Sequence, residues 1–389
     1  MTKILIISRI SMGHGVAGGM ESGLQSLADG LKQSGFEVAI LTTHGIVRPD
    51  LMSTFEHVWC LPFGRPGKYS LPWWLGSTFH RPSKQWDPNL TISISSAGAG
   101  FMFANKQKMT VAQCHGTAFA EVRSSIKTGG VREYAKVLLN TARIAREVPS
   151  YRSFTKIWAV SEEVANQLRA FPYRVAEEKI EVISNGVDVD QLRFSTADRL
   201  KIRRQLGIPT DADVGITLCR LVAQKGVDVA IRSLATKQGS NRNLIVAGDG
   251  PEGEALRALA RDVGVVDRVR FVGHVEKSDV PAHLSAADVF VFPTRRLEGL
   301  PFSLLEALAN GLPVLTTNGC NVPDDIQQGV HISDGSAEAI SMTWQVILER
   351  KSSRLKSNLP SKYSQRQMAG TYARSVEDLL SLLEGWRNR

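Results

Sequence analysis

Cysteine is scarce in this chain of 389 residues, and its four copies are scattered. Cys60, Cys114, Cys219 and Cys320 form no C-x-x-C pair, which argues against a disulfide scaffold and against a structural zinc site. Reduced thiols in a cytoplasmic protein are the plain reading. Long apolar runs are missing too: no window approaches the roughly 18 residues of a spanning helix. The start, Met1-Thr-Lys-Ile-Leu-Ile-Ile-Ser8, is apolar for four residues before Arg9 follows, so it reads as a first strand rather than a signal peptide. There is no low-complexity tract, and no acidic cluster suited to a metal. Acidic residues are outnumbered, 38 against 47, for a net charge of +9. That excess points to an acidic partner: nucleic acid, anionic lipid or a phosphorylated substrate. No nucleic-acid-binding module is recognisable, so that option rests on net charge alone.

What is present is a steady alternation of apolar runs with amphipathic stretches, the pattern of parallel sheets covered by helices on both faces. In the first half the strands are expected at Lys3–Ser8, Glu37–Thr43, Val58–Phe63, Leu90–Ser95, Thr110–Cys114, Lys156–Ser161 and Ile180–Ser184. In the second half they are expected at Val214–Leu221, Asn243–Ala247, Arg268–Val272 and Val289–Phe292, with Pro313–Thr317 closing the set. At this length two domains are the default. Asn185-Gly-Val-Asp188 is a turn signal that marks the boundary. The resulting division is 1–188, 189–364 and a C-terminal helix, 365–389. Met368, Tyr372, Val376, Leu379, Leu380 and Leu383 recur at helical spacing, and this helix is expected to pack back towards the N-terminal domain.

The most telling segment is Glu298-Gly-Leu-Pro-Phe-Ser-Leu-Leu-Glu306. It leads from a strand end, past an acid, into a helix expected to start at Pro301, whose missing N–H suits a first turn. Such a start presents free N–H groups and a partial positive charge to a phosphate or sugar hydroxyl. Arg220 and Lys225 follow the strand at 214–221, and ligands of doubly wound domains bind beyond strand carboxyl ends. Two cations there suit a diphosphate, Arg as a fork and Lys as a point charge. Gly13-His-Gly-Val-Ala-Gly18-Gly19 contains G-x-G-x-x-G, but Arg9–Met12 intervene after the strand. Leu41-Thr-Thr-His44 also stands where a dinucleotide site needs an acid, which removes a nicotinamide-dependent dehydrogenase. For Gly18-Gly19 a close backbone approach to a pyrophosphate and a plain tight turn both stand. His115 ends a strand of the first domain, a position open to chemistry as well as to packing.

In this order and spacing, Ala159-Val-Ser161, Ile183-Ser-Asn-Gly-Val-Asp188, Arg220-Leu-Val-Ala-Gln-Lys-Gly226, Gly248-Asp-Gly-Pro251, Phe271-Val-Gly-His274, Ala287-Asp-Val-Phe-Val-Phe-Pro293 and the paired acids resemble the family 4 glycosyltransferases. The likeness covers nearly the whole chain and is strongest from Lys156 to Pro323. It implies the α/β GT-B fold, two doubly wound Rossmann-like domains facing across a cleft. It also implies a retaining, metal-independent transfer of a hexosyl group from a UDP- or GDP-linked sugar to a glycan or lipid-linked acceptor, with no cofactor besides the donor itself, in cell-surface polysaccharide or glycolipid synthesis. By the same resemblance Arg220 and Lys225 hold the donor diphosphate and Glu298 the donor sugar. The N–H groups of Gly299, Leu300 and Phe302 lie near sugar and phosphate, and Glu306 takes the ribose hydroxyls. Val275 borders the base, Gly18 and Gly19 meet the phosphates, and His115 reaches the sugar. Asn318-Gly-Cys-Asn-Val-Pro-Asp-Asp325 departs from the family's usual Gly-Gly and Pro-Glu, which bears on the donor pocket and not on the reaction class.

The acceptor side is expected in the first domain. Two features there bear on a membrane: Trp73 and Trp74 in a Pro-, Gly- and Trp-rich loop, and a stretch from Glu121 to Lys156 with eight Lys/Arg against three Glu. One reading seats them on an anionic membrane surface at the inner face; the other packs the tryptophans under the loop and leaves the cations solvated. Two further functions compete: a nucleotide-sugar epimerase, which fits the paired acids less well, and a nucleotide-sugar-binding protein without transfer activity, which the intact set Arg220, Lys225, Glu298 and Glu306 disfavours. A soluble small-molecule acceptor is the alternative within the transferase reading.

Overall fold

Short runs of β-branched and aliphatic residues that alternate with helices bury both faces of a sheet, and the chain builds two such sheets. A computed structural model describes residues 2–15, 18–60, 73, 84–100, 109–129, 131–350, 357 and 359–387. It divides into two compact units. One comprises Met1–Val122, Leu138–Gly186 and Gln365–Arg389; the other comprises Arg123–Val137 and Val187–Ser364. The division departs from the expected boundary at 188: residues 123–137, together with 187 and 188, belong to the second unit.

Among the described residues the first unit holds seven parallel strands, β1 (Lys3–Ile7), β2 (Glu37–Thr42), β3 (His57–Cys60), β4 (Leu90–Ile94), β5 (Thr110–Cys114), β6 (Lys156–Ala159) and β7 (Ile180–Val182), in the order β3-β2-β1-β4-β5-β6-β7. On one face α1 (Gly19–Gln33) packs with the last helix, α11 (Gln365–Arg387), through Leu24, Leu27 and Leu31 and through Met368, Tyr372 and Val376. The chain between β5 and β7 forms α2 (Ala118–Thr128), α3 (Val131–Ser153) and α4 (Glu162–Arg169). Trp73 is fully buried with Leu5, Ile7, Leu41 and Ala97, and its indole N–H donates to the Ala97 carbonyl at 2.8 Å. It therefore cannot serve as a headgroup anchor, which corrects that reading. Trp74 lies outside the described residues.

The second unit holds β8 (Asp213–Leu218), β9 (Arg242–Ala247), β10 (Val269–Gly273), β11 (Val289–Phe292), β12 (Val314–Thr317) and β13 (Val330–Ser333), all parallel, in the order β10-β9-β8-β11-β12-β13. Its helices are α5 (Thr196–Gln205), α6 (Val227–Ser233), α7 (Gly253–Asp262), α8 (Val280–Ala286), α9 (Phe302–Ala309) and α10 (Ala337–Glu349). Residues of α5, α8 and α9 share one apolar cluster, and residues of α6, α7 and α10 share another. The set expected to close at β12 thus gains a further strand and helix. The order of each sheet reverses once, between β1 and β4 and between β8 and β11, and such reversals open a crevice at the strand carboxyl ends.

Candidate functional site

At the reversal in the second unit, the loops that follow β8 and β11 leave side by side. The β8 loop ends in a single 3-10 turn, Ala223–Lys225, closed by Gly226 at φ 70°. A Cβ on Gly226 would stand 1.9 Å from the Pro293 carbonyl oxygen, so only glycine allows the two loops to touch here. Arg295 fastens them. Its guanidinium forks onto Asp228 with both bonds at 2.7 Å and donates to the Ala223 carbonyl at 2.8 Å, while its backbone N–H donates to the Gln224 carbonyl at 2.8 Å.

This scaffold sets the Lys225 ammonium 2.7 Å from Oε1 of Glu298. Thr294 Oγ1 is 3.0 Å from the same oxygen, and Arg296 Nε is 4.0 Å from the other. Glu298 is buried. Burial alone would push its carboxyl up, but Lys225, Arg296 and Thr294 outweigh it and hold the group below the usual carboxylate range. The Lys225 ammonium also lies 5.0 Å from the Phe292 ring centre, a cation–π distance. Arg220, two residues beyond β8, is exposed and has no carboxylate partner among the described residues. Lys225 and Arg296 thus flank the single carboxylate of Glu298, and the exposed Arg220 adds a further cation, which favours an anionic ligand. An ammonium has three donors, so Lys225 can keep Glu298 and still serve a ligand oxygen.

Helix α9 begins at Phe302, with Pro301 as its extended N-cap, one residue later than expected. The backbone N–H groups of Gly299 and Phe302 meet no acceptor among the described residues, and the buried side chains of Leu300 and Phe302 anchor the turn in the core. Glu306 lies farther along α9. It is partly exposed, and its carboxyl has no hydrogen-bond partner among the described residues. Burial pushes that carboxyl up to about 7, with Lys277 pulling against the shift. Lys277 belongs to the loop after β10 that carries Val275, and Val275 packs on the same core as Leu305. Val275 and Glu306 are thus brought into one neighbourhood.

In the first unit Gly18 is the N-cap of α1 and Gly19 its exposed first residue. A Cβ on Gly18 would lie 2.5 Å from Oε2 of Glu21, and Glu21 is buried. The helix start is therefore already covered by a carboxylate at Gly18, and Gly19 is the more open position for a phosphate. His14 in the same loop accepts the Ser11 N–H at Nδ1 (3.2 Å), and its Nε2 meets the Thr43 carbonyl at 3.1 Å; this pins the loop to the end of β2. His115 follows β5, and its Nε2 lies 3.1 Å from Oε1 of Gln113; Gln113 in turn donates to the Tyr372 hydroxyl at 2.7 Å. Burial lowers the His115 imidazole to about 4, so the ring is neutral at pH 7 and acts as a hydrogen-bonding group. Sequence reasoning did not single out Gln113, Thr294, Arg295 or Asp228. The only signal was adjacency, since Gln113 stands two residues before His115 and Thr294 four before Glu298. Among the described residues no three His, Cys, Asp or Glu side chains gather as a metal site, and no helix is long and apolar enough to cross a membrane.

Comparison with known proteins adds two family matches. The model "Glycosyltransferase Family 4" matches residues 17–191, and "Glycosyl transferases group 1" matches residues 198–367. The chain is 36% identical over 156 residues to a GDP-mannose-dependent alpha-(1-6)-phosphatidylinositol monomannoside mannosyltransferase of Mycobacterium tuberculosis, covering 38% of this chain and 40% of that protein. It is 27% identical over 338 residues to a D-inositol 3-phosphate glycosyltransferase of Streptomyces avermitilis, covering 82% and 72%. The mannosyltransferase match thus spans about two-fifths of that relative's length. A crystal structure of Anabaena Alr3699/HepE in complex with UDP and glucose superposes with a TM-score of 0.75 at 20% identity, covering 98% of this chain and 100% of that one. That likeness supports the GT-B architecture of two Rossmann-like sheets.

Proposed function

Because the chain belongs to glycosyltransferase family 4, matched by its two family models over most of its length, we propose that it transfers a hexosyl group from a UDP- or GDP-linked sugar to a hydroxyl of a glycan or lipid-linked acceptor. The observation that carries this reading is the Lys225–Glu298 pair at the sheet reversal, with Arg220 exposed in the same loop and the open N-terminus of α9 following Glu298. Arg220 and Lys225 bind the diphosphate, and the N–H groups of Gly299 and Phe302 face sugar and phosphate. The ionised Glu298 accepts from donor-sugar hydroxyls, and Glu306 accepts from the ribose. Val275 borders the base. Gly19 and the neutral His115 serve the same reaction from the first unit, which also takes the acceptor.

The transition state is an oxocarbenium-like sugar leaving a diphosphate. Fixed cations and backbone donors aimed at that diphosphate stabilise the charge as it develops. The acceptor hydroxyl attacks the anomeric carbon on the face the diphosphate leaves, and its proton passes to a departing phosphate oxygen. The configuration is retained and no divalent ion takes part. The basic helix α3 exposes Tyr134, Leu138 and Leu139, which favours a lipid-linked acceptor at the inner face of a cytoplasmic membrane. The D-inositol 3-phosphate relative, aligned over most of this chain, favours a soluble phosphorylated acceptor as the second reading.

The test measures thermal stabilisation by UDP, GDP and their hexosides, since a ligand of the native state raises the melting point. Transfer is then assayed with lipid and soluble acceptors, with and without EDTA. One nucleotide should stabilise, transfer should survive EDTA, and Glu298→Gln should abolish transfer with the fold intact. Full activity in Glu298→Gln would overturn the site. Flotation with vesicles containing anionic lipid tests the membrane, and salt-insensitive absence of binding would remove it.

A further inference from the structure

Residues 123–137 leave the first unit after Val122 and rejoin it at Leu138, yet they are built into the second. Their buried polar side chains show where they attach. Ser124 Oγ accepts the Leu297 N–H at 3.0 Å. Ser125 Oγ donates to Oε2 of Glu133 at 2.9 Å, and Gln224 Nε2 donates to that same oxygen at 3.0 Å and to Ser125 Oγ at 3.1 Å. Ser124, Ser125, Glu133 and Gln224 are all buried. The segment thus grips Leu297 and Gln224, and these are the residues immediately before Glu298 and Lys225.

Gln224 is held from its other side as well, because its carbonyl accepts the Arg295 N–H at 2.8 Å and stands 3.2 Å from Thr294 Oγ1. A buried carboxylate with amide and hydroxyl partners is a costly device where an apolar contact would hold two elements together as well. What it supplies, and an apolar contact does not, is direction: each hydrogen bond fixes the orientation of the residue it reaches. We propose that Gln224, Glu133 and Ser124 are positioning residues that set the Lys225 ammonium against Glu298 in the geometry that receives the donor diphosphate. This rests on the donor-site reading above. Residues 123–137 then brace that site from behind, acting through Leu297 and Gln224 on Glu298 and Lys225 without touching the reacting atoms.

The test is calorimetric titration with UDP and with GDP, on Gln224→Ala, Glu133→Ala, Ser124→Ala and Glu133→Gln, each below its own melting temperature. Gln224→Ala and Glu133→Ala should weaken nucleotide binding about tenfold, roughly 1.4 kcal/mol. Glu133→Gln, which keeps an acceptor oxygen in place, should recover most of that affinity. A double-mutant cycle separates positioning from loose packing. In a Lys225→Ala background, Gln224→Ala should cost no further affinity, because the group it positions is gone. Equal losses with and without Lys225, or unchanged affinity in both Gln224→Ala and Ser124→Ala, would overturn the inference and leave the donor site standing. If the parent protein binds neither nucleotide, or if Lys225→Ala binds as well as the parent, the donor-site reading fails and the inference fails with it.

Discussion

Replacing Glu306 with Gln should make the protein more stable and a poorer binder at the same time. Burial lifts the Glu306 carboxyl from 4.5 to about 7, a rise worth about 3 kcal/mol for a fully enclosed group. Its partial exposure reduces the effect to about 1–2 kcal/mol. The sign follows from proton binding. Between pH 4.5 and pH 7 the unfolded chain gives up this proton while the folded protein keeps it, so stability falls as pH rises through that window and stays lower above it. Gln has the same shape and no proton to lose. Parent and variant should therefore melt together near pH 4 and separate by about 3–6 °C at pH 8, with the variant higher. Nucleotide binding should move the other way, because an ionised carboxylate makes the stronger hydrogen bonds to ribose hydroxyls. The variant should lose about tenfold in UDP or GDP affinity at pH 8 and little at pH 5.5. Melting curves and titration calorimetry at four pH values measure both. A melting difference that is the same at every pH would refute the burial argument, and equal affinity at pH 8 would remove Glu306 from the ligand.

Arg220→Ala should leave the unfolding free energy within about 0.5 kcal/mol of the parent, because the side chain is exposed. It should cut nucleotide diphosphate affinity tenfold or more at low salt, read by calorimetry at two ionic strengths. Gly226→Ala should destabilise by at least about 2 kcal/mol in denaturant unfolding, since its Cβ would collide with the Pro293 carbonyl; a neutral outcome would mean that the two loops separate freely. Trp73→Ala should cost about 3–5 kcal/mol, and anionic vesicle binding should not change beyond what unfolding explains, because the indole is enclosed.

Much of the fold was legible because both sheets are parallel and buried, so their strands read as unbroken apolar runs such as Val289–Phe292. The edge strand β13 escaped: three of its four residues are incompletely buried, and Val-His-Ile-Ser carries no such run. The paired acids and the strand-end cations located the donor loops, since turn chemistry and strand ends are local signals. The direct Lys225–Glu298 contact was not legible, because the partners are 73 residues apart and sequence had given them separate tasks. Trp73 illustrates the same limit. An aromatic in a Pro- and Gly-rich loop looks alike in sequence whether it faces lipid or fills a core. Residues 123–137 join the second unit, where three of their buried side chains, Ser124, Ser125 and Glu133, meet Leu297 and Gln224, a long-range pairing that no periodicity encodes.

The return of α11 to the first sheet has a bearing on how the protein is made. Tyr372, whose hydroxyl meets Gln113, and Ser375, which accepts from the Trp158 indole at 2.9 Å, are synthesised after every residue of the second unit. On the ribosome the second unit can close first, while the earlier sheet waits with an unfinished apolar face. The apolar face of the first sheet is thus covered only after the whole second unit has been synthesised.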